Sequence, residues 1–278
     1  MTPPLPDART AAGDVGLAAL LADPARALVA LDYDGTLAPI VDRPEAAVPA
    51  PGAIEALARL GRLVGAVAIV TGRPVDELLR LSGLARHPEL AHLTVLAQYG
   101  LQRWDAATGS VTSPEPLPGV AVVRAALPPI LADAPPGTRM EDKGQALAVH
   151  VRQTADPDAA LTALAPTLVR LAERNGLEAA PGRRVLELRP PGHDKGGALS
   201  AYARERQARA VLFAGDDLGD LAAFDAVEAL RAAGVPGVTV CSDSPEVAEL
   251  RARADVVVDG PAGVVALLDA LAARIGTA

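Results

Sequence analysis

Aromatic residues and cysteines are scarce in this chain of 278 residues. Aromatic side chains make up 2% of the sequence and hydrophobic residues 50%, so we expect a core of alanine, valine and leucine. Aromatic platforms for stacking nucleic-acid bases are therefore not expected. Cys241 is the only cysteine, which excludes an intramolecular disulfide and a zinc site built from several cysteines.

Excess positive charge and long apolar runs are also lacking. The formal net charge is -8, which argues against general affinity for nucleic acids or anionic membranes, so an anionic substrate needs a local basic site. No stretch has the about 18 uninterrupted apolar residues of a membrane span, and the first residues carry no signal-like segment. We expect a cytoplasmic protein, compatible with a monomer, whose partner is a small molecule.

Strand-like and helix-like segments alternate at both ends of the chain. This is the βαβ pattern of a parallel sheet covered by helices. The predicted strands are 27–31, 66–70, 94–97, 210–214 and 238–240, and the predicted helices are 53–63, 74–81, 195–206, 218–230 and 263–274. We predict an α/β fold with a Rossmann-like parallel-sheet core formed by residues 1–101 and 191–278.

The middle of the chain, residues 102–190, has a different pattern. Turn signals stand at Thr108-Gly109, Pro135-Pro136-Gly137 and Pro181-Gly182. Residues 146–152 and 184–188 alternate apolar with polar side chains, as half-buried strands do. We predict that this part is an inserted α+β cap domain over the carboxyl edge of the sheet.

A first acidic motif follows a strand that is predicted to be buried. The run 27–31 ends in Asp32-Tyr33-Asp34-Gly35-Thr36, and open α/β sheets place ligands at the carboxyl ends of their strands. Alternate residues of a strand point the same way, so Asp32 and Asp34 would place two carboxylates in one small space. Either a cation or a shared proton must then offset their repulsion, and a divalent metal is the simpler interpretation. The alternative is an ordinary turn, because Asp and Gly are common turn residues.

A second acidic motif repeats this arrangement. The run 210–214 leads into Gly215-Asp216-Asp217-Leu218-Gly219-Asp220. Carboxylates from two adjacent strand ends, together with a backbone carbonyl, suit Mg²⁺ better than zinc. The alternative is that Asp216 or Asp217 only caps the helix that begins near Leu218.

Two further segments offer groups for an anion. The strand 66–70 runs into Thr71-Gly72-Arg73-Pro74, where a hydroxyl and a backbone amide at a helix start can hold a phosphate oxygen. Lys195 opens a helix, although cations favour helix carboxyl ends, which indicates an anion nearby. The alternatives are that Thr71 only caps the helix and that Lys195 is an ordinary surface lysine.

Taken together and in this order, the motifs resemble those of the haloacid dehalogenase-like phosphohydrolases. The resemblance rests on 32–36, Thr71, Lys195 and 215–217. It implies that Asp32 is the nucleophile and forms an aspartyl phosphate, that Asp34 is the general acid and base, and that Thr71 and Lys195 bind the phosphate. It also implies a Mg²⁺ cofactor, with the expected metal ligands Asp32, Asp34, Asp216 and Asp217.

The middle segment narrows the resemblance to the trehalose-6-phosphate phosphatase family. The segments 141–143, 149–152 and 187–190 are similar to cap motifs of that family. The resemblance implies hydrolysis of trehalose 6-phosphate to trehalose and phosphate, with the substrate-binding residues Arg73, Glu141, Lys143, Arg152 and Glu187. For each cap residue, the alternative is a solvated charge on a strand.

The chain departs from that family at Gly219 and Leu221, where Thr and Glu are usual. Catalysis is expected to survive, because Asp216, Asp217 and Asp220 remain, and metal affinity or preference is the property open to change.

Two other functions compete with this interpretation. One is a phosphatase for sucrose phosphate or for a glucosyl- or mannosyl-glycerate phosphate, and the cap residues decide between these substrates. The other is a non-catalytic sugar-phosphate sensor, against which the intact Asp32 and Asp34 argue. A nucleotide-binding domain is disfavoured, because no Gly-x-Gly-x-x-Gly follows the first strand and no P-loop pattern occurs.

Overall fold

The computed structural model describes residues 4–41, 43–182, 184–243 and 248–277. Within them the strands are β1 Ala27–Leu31, β2 Ala66–Val70, β3 Leu93–Ala97, β4 Gln102–Asp105, β5 Val111–Thr112, β6 Arg139–Asp142, β7 Leu147–His150, β8 Glu178–Gly182, β9 Val185–Arg189, β10 Ala210–Gly215, β11 Gly237–Ser242 and β12 Val256–Val258. The helices are α1 Ala11–Ala22, α2 Ala53–Gly61, α3 Val75–Ser82, α4 Pro118–Leu131, α5 Pro157–Arg174, α6 Lys195–Glu205, α7 Leu221–Ala232, α8 Ala248–Arg253 and α9 Gly260–Gly276.

The chain divides into two compact units. The first is Met1–Thr112 with Asp194–Ala278, and the second is Ser113–His193. The first contains an eight-stranded sheet in the order β12-β11-β10-β1-β2-β3-β4-β5. Its strands are parallel from β12 to β3, so the carboxyl ends of β1, β2 and β10 meet at one edge. Among the described helices, none is long and apolar enough to span a membrane.

Both faces of this parallel sheet are covered by helices. Val29 and Leu31 of β1 belong to a buried cluster with residues of α1, α2 and α9, whereas Leu28 and Ala30 belong to a second cluster with α6 and α7. All five residues of β1 are buried, as expected for a central parallel strand with helices on both sides. The predicted α/β fold with a parallel-sheet core is confirmed.

The second unit is an antiparallel sheet with helices on one face. Its strand order is β6-β7-β9-β8. Leu147 and Val149 of β7 and Leu186 and Leu188 of β9 share a buried cluster with residues of α4 and α5. Because side chains alternate along a strand, Ala148, His150, Glu187 and Arg189 lie on the opposite face. The predicted α+β character of this segment is confirmed.

The boundaries of the units differ from those expected at 101/102 and 190/191. The strands β4 and β5 pair antiparallel with β3 and with each other, so residues 102–112 extend the first sheet. The turn signal Thr108-Gly109 closes this hairpin, where Gly109 N donates to Asp105 O at 2.8 Å. A turn signal predicts a hairpin but does not indicate which sheet the hairpin joins, and this explains the displaced first boundary.

Candidate active site

Asp32 lies at the carboxyl end of β1 and is only 4% exposed. Its backbone N–H donates to Ala214 O at 2.8 Å, which ties the end of β1 to the end of β10. This neighbouring strand end carries Asp216, also buried. The two acidic motifs therefore meet at one edge of the sheet, as their positions after parallel strands predict.

Lys195 joins these carboxylates as a buried cation. Its Nζ lies 2.9 Å from Asp32 Oδ1 and 2.8 Å from Asp220 Oδ1. It is the first residue of α6, whose N-cap is Asp194, with the Asp194 side chain accepting from Gly197 N at 2.7 Å. The unusual position of a lysine at a helix start thus reflects a pair of buried anions, and Lys195 is not a surface lysine.

Asp220, which is not among the predicted metal ligands, also belongs to this cluster. Its Oδ2 accepts from Asp216 N at 2.9 Å and from Asp217 N at 3.1 Å, while its Oδ1 accepts from Lys195. Asp220 occupies the third position after the N-cap Asp217 and forms a capping box with it. An acidic residue three positions after an Asp cap is the sequence signal for this arrangement.

Burial and mutual repulsion raise the pKa values of the acids in this cluster. Burial, together with the charges of Asp220 and Asp217, raises the pKa of Asp216 to about 8. Burial likewise raises the pKa of Asp220 to about 6, against the attraction of Lys195. The pKa of Asp32 is also raised, first by burial and then by the neighbouring acids. In the absence of a bound cation, ionising all these groups is therefore costly.

The donor set of this cluster fits a divalent cation. One carboxylate oxygen from each of Asp32, Asp216 and Asp220 lies within 4.8 Å of the others, and all three residues are buried. Carboxylate oxygens are the ligands that Mg²⁺ prefers. Both oxygens of Asp220 already accept from nitrogen donors, which leaves Asp32 and Asp216 as the better candidates for a metal ligand.

The backbone of Gly35, in the first acidic motif, lies against the Asp216 carboxylate. Gly35 has a φ of 76°, and a Cβ built on it would lie 2.0 Å from Asp216 Oδ2. Only glycine accommodates both the left-handed conformation and this contact. Ser242 Oγ, at the end of β11, donates to Gly35 O at 2.7 Å and fixes the turn from the other side.

The Asp34 carboxylate forms an ion pair with the Arg73 guanidinium. Arg73 Nε lies 2.6 Å from Asp34 Oδ2, and Arg73 Nη2 lies 2.7 Å from Asp34 Oδ1. The same guanidinium contacts Glu77. Arg73 is predicted to bind substrate, but in the structure it hydrogen bonds to Asp34, the predicted general acid and base.

Thr71 is buried and lies where β2 ends. Its Oγ1 accepts from Arg73 N at 3.2 Å. The N-cap of α3 is Pro74, so Thr71 does not cap that helix. Its hydroxyl stands at the same sheet edge as Asp32, because β1 and β2 are parallel neighbours.

A strained turn after β3 holds the segment 71–73. Gln98 and Tyr99 have φ values of 46° and 60°, which is uncommon for residues other than glycine and is typical of functional sites. Gln98 N donates to Arg73 O at 3.1 Å, and Tyr99 N donates to Thr71 O at 3.0 Å. No sequence signal marked this turn.

In the second unit, the predicted substrate residues form ion pairs on the sheet. Lys143 Nζ lies 2.8 Å from Glu187 Oε1, and Glu187 is 5% exposed. His150 Nε2 lies 2.6 Å from Glu141 Oε2. Glu141 and Glu187 both pair in register with Ala148, so they occupy the same face. Arg152 follows β7 and is exposed.

These features are accompanied by a family match along most of the chain. The sequence profile of the trehalose-phosphatase family matches residues 30–256. The chain belongs to the trehalose-phosphatase family. This range contains both acidic motifs, Thr71, Lys195 and the whole second unit, so the family resemblance seen in the motifs is confirmed.

Relatives of this family differ in how much of their length this chain spans. The trehalose-6-phosphate phosphatase of Escherichia coli (strain K12) is 32% identical over 204 residues, which cover 72% of this chain and 73% of that protein. A Mycobacterium tuberculosis (strain H37Rv) protein described as an uncharacterized glycosyl hydrolase is 36% identical over 214 residues, covering 73% of this chain and 15% of that protein. The chain thus spans a small part of the latter.

A solved structure shares the fold. The C-terminal domain of Candida albicans trehalose-6-phosphate phosphatase superposes with a TM-score of 0.73 at 22% identity, covering 98% of each chain. At this level of identity the likeness concerns the architecture alone.

The departure from the trehalose-phosphatase family motif lies on the rim of the acidic cluster. Gly219 N donates to Asp217 Oδ1 at 2.9 Å, so the Asp217 side chain caps the turn Leu218–Asp220. Leu221 begins α7 and packs against the apolar cluster under that helix. Capping, the alternative role of Asp216 or Asp217, applies to Asp217, whereas Asp216 accepts from Thr36 Oγ1 at 3.5 Å.

Proposed function

We propose that this protein hydrolyses trehalose 6-phosphate to trehalose and phosphate in a Mg²⁺-dependent reaction. The observation that carries the proposal is the buried Asp32 at a strand end, 2.9 Å from Lys195 and beside Asp216. A buried carboxylate with an adjacent cation suits attack on an anionic phosphate, because the cation offsets the charge of both groups. Membership of the trehalose-phosphatase family supports the choice of sugar.

The proposed reaction has two in-line steps. A carboxylate oxygen of Asp32 bonds to phosphorus, the bond from phosphorus to the sugar oxygen breaks, and Asp34 gives its proton to that oxygen. Water then attacks the aspartyl phosphate while Asp34 takes a proton from the water, and the bond from phosphorus to Asp32 breaks. Lys195 and the Thr71 hydroxyl hold the phosphoryl oxygens during both steps.

Asp32 and Asp216 would hold the Mg²⁺ ion, and Asp220 would orient Lys195. When bound, the ion supplies positive charge that offsets the phosphate and the crowded carboxylates. The ligand roles of the Asp34 and Asp217 side chains stay predictions, because the first accepts from Arg73 and the second from Gly219 N.

The second unit would select the sugar. Glu141, Lys143 and Glu187 lie on the sheet face opposite its helices and offer carboxylates and an ammonium group, which suit the hydroxyls of a disaccharide. Arg152 is included by family resemblance. Because these groups pair with one another in this structure, a sugar must replace some of these contacts with its own.

A panel of sugar phosphates tests this proposal. With Mg²⁺ present, we expect phosphate release from trehalose 6-phosphate with a kcat/KM well above that for sucrose phosphate and for glucosyl- and mannosyl-glycerate phosphates. Preference for one of the others would move the assignment to that substrate. Binding of a sugar phosphate without any turnover would instead indicate a sensor.

A further inference from the structure

We infer that Arg73 is a positioning residue that acts through Asp34 and does not bind the substrate phosphate. The inference rests on the proposed phosphatase function and assigns a role within that site. It is carried by the geometry of the pair between Arg73 and Asp34 and by the surroundings of each partner.

The pair has two parallel hydrogen bonds. Arg73 Nε donates to Asp34 Oδ2 at 2.6 Å, and Arg73 Nη2 donates to Asp34 Oδ1 at 2.7 Å. This arrangement uses the planar edge of the guanidinium and fixes both the position and the plane of the carboxylate. A lysine at this position offers a single point charge and cannot fix the plane.

Arg73 itself is held from several sides. Its Nη1 donates to Glu77, one turn further along on α3. The guanidinium carbon stands 5.9 Å from the centre of the Tyr33 ring, and the Tyr33 hydroxyl donates to Ala47 O at 2.9 Å. The support beneath Asp34 is therefore a fixed network rather than one mobile side chain.

The exposure of the two partners differs in the direction that the inference requires. The side chain of Arg73 is 11% exposed, whereas the side chain of Asp34 is 39% exposed. The carboxylate is thus accessible to a substrate, while the guanidinium lies behind it. A phosphate-binding arginine would need the reverse arrangement.

Positioning matters here because Asp34 must reach two different atoms. It gives a proton to the sugar oxygen in the first step and takes one from water in the second. A misplacement of about 1 Å can reduce a rate by about 10²-fold. Arg73 would supply this placement, and it would take part in no bond that forms or breaks.

A double-mutant cycle separates the two roles. In the wild-type background we expect Arg73→Met to lower kcat/KM for trehalose 6-phosphate by about 10²-fold. In an Asp34→Asn background we expect the same change to have no further effect, because the group that Arg73 positions no longer transfers protons. Losses that multiply in the double variant would overturn the inference and indicate that Arg73 binds phosphate.

A change of leaving group gives a second readout. The kcat/KM reports only the steps up to phosphoryl transfer, and the phenolate of para-nitrophenyl phosphate leaves without needing protonation. We therefore expect Arg73→Met to leave kcat/KM for para-nitrophenyl phosphate within about 3-fold of wild type, which is small beside the 10²-fold or more attributable to proton transfer. Equal losses on both substrates would contradict the positioning role.

The chain offers a matched control and a milder variant. Arg103 Nη1 lies 2.8 Å from both carboxylate oxygens of Glu205, and its guanidinium lies 5.3 Å from the centre of the Tyr202 ring. Arg103→Met removes a similar arrangement on β4 and should preserve activity on both substrates. Arg73→Lys keeps the charge and serves if Arg73→Met does not fold, with a loss confined to the sugar phosphate.

The outcomes distinguish this inference from the proposed function. A wild-type protein that hydrolyses neither substrate would refute the phosphatase proposal, and the inference with it. A wild-type protein that hydrolyses both, with Arg73 variants that are additive with Asp34→Asn or unimpaired on the sugar phosphate, would refute the inference alone.

Discussion

In the first unit the charged groups of the candidate site are buried near strand ends, with the part-exposed Asp34 as the exception, whereas in the second unit most of the polar groups lie part-exposed on one face of an antiparallel sheet. Asp32, Asp216 and Lys195 are buried within one cluster. His150 and Glu141, by contrast, keep 27% and 32% of their side chains exposed. Glu187 is the exception, because it is buried against Lys143.

This difference fits the division of roles in the proposed function, with chemistry in the first unit and sugar selection in the second. Buried charges interact strongly because water does not screen them, and burial together with the neighbouring acids raises the pKa of Asp216. Exposed cross-strand ion pairs contribute little to stability. They can be exchanged for contacts to a ligand at low cost, which fits the proposed role of this face in sugar binding.

Loss of the nucleophile is the largest expected effect. Asp32→Asn should bring turnover below detection for every phosphate ester, because an amide is a poor nucleophile although it has nearly the same shape. Phosphate release is measured beside the thermal midpoint of unfolding, which shows whether the variant is folded. Turnover well above background in a folded, pure preparation would show that Asp32 is not the nucleophile. The contrast between a catalytic first unit and a selecting second unit would then not hold.

Metal removal comes next. A chelator should abolish turnover, and Mg²⁺ should raise the thermal midpoint of the wild-type protein, because a ligand at 100 times its Kd stabilises the folded state by about 2.7 kcal/mol. Asp216→Asn should lose this Mg²⁺-induced shift.

The matched variant for the metal test is Asp217→Asn. Its side chain caps the following turn, so we expect it to keep most of the shift. Loss of the shift in Asp217→Asn would support the ligand role predicted from the motif. If Asp216→Asn keeps the full Mg²⁺-induced shift in thermal midpoint, the proposed metal site at Asp216 is wrong.

The convergence of the two acidic motifs could be predicted from the sequence because it follows from chain order. Acidic residues directly after two strands that are neighbours in a parallel sheet must meet at one edge. Lys195 could be recognised because its place at a helix start is unfavourable unless an anion is near. The predicted strands β1 and β2 have the observed bounds, and the other predicted elements of the first unit differ from the observed ones by one to three residues.

The pairing partners could not be predicted, because they depend on side-chain direction and strand register. Nothing in the order of residues indicates that Arg73 turns toward Asp34, or that Asp220 accepts from Lys195. The alternation in residues 146–152 predicts a strand but not which residues lie opposite one another on β7 and β9. For the same reason, the sequence does not indicate that the hairpin 102–112 joins the first sheet.

A stability comparison tests the contrast between buried and exposed charge. In the first unit, Asp255 Oδ2 accepts from Thr239 N at 2.7 Å and from Thr239 Oγ1 at 2.8 Å, and the side chain also contacts Arg231. We expect Asp255→Asn to lower the free energy of unfolding at neutral pH by roughly 3 kcal/mol, because it leaves buried donors without an anion. Chemical denaturation measures this change.

The pH dependence of this effect has a definite sign. Burial raises the pKa of Asp255, but hydrogen bonds from Thr10 and Thr239 outweigh burial and lower the pKa. A group with a lowered folded pKa stabilises the protein above its unfolded pKa, about 3.9 for Asp, and this stability is lost as the pH falls through the folded pKa. The difference between wild type and Asp255→Asn should therefore shrink below about pH 4.

The exposed counterpart is Asp142 in the second unit. It accepts from Arg124 Nε at 2.6 Å and from Gly144 N at 2.9 Å, and its side chain is 40% exposed. Asp142→Asn should change the free energy of unfolding by less than about 0.5 kcal/mol, because water screens the pair. If Asp142→Asn and Asp255→Asn cost the same, the contrast between the two units would not hold.

The proposed sugar selection by the second unit gives the smallest expected change in activity. Glu187→Gln should lower kcat/KM for trehalose 6-phosphate by roughly 10- to 100-fold, because leaving one buried partner unpaired costs about 1–3 kcal/mol. It should leave para-nitrophenyl phosphate nearly unaffected, since that substrate carries no sugar. Parallel kinetics on the two substrates, with thermal midpoints for both proteins, measure the difference.

Glu178 provides the matched control, because it shares a partner with Glu187. Arg189 Nε lies 2.9 Å from Glu178 Oε1, and Arg189 Nη1 lies 3.8 Å from Glu187 Oε2, but the side chain of Glu178 is 37% exposed and that of Glu187 is 7% exposed. Glu178→Gln should therefore leave both substrates unchanged. If Glu187→Gln lowers both activities equally, Glu187 supports the fold rather than the sugar. If the two variants behave alike, burial on this face does not decide which carboxylate recognises the substrate.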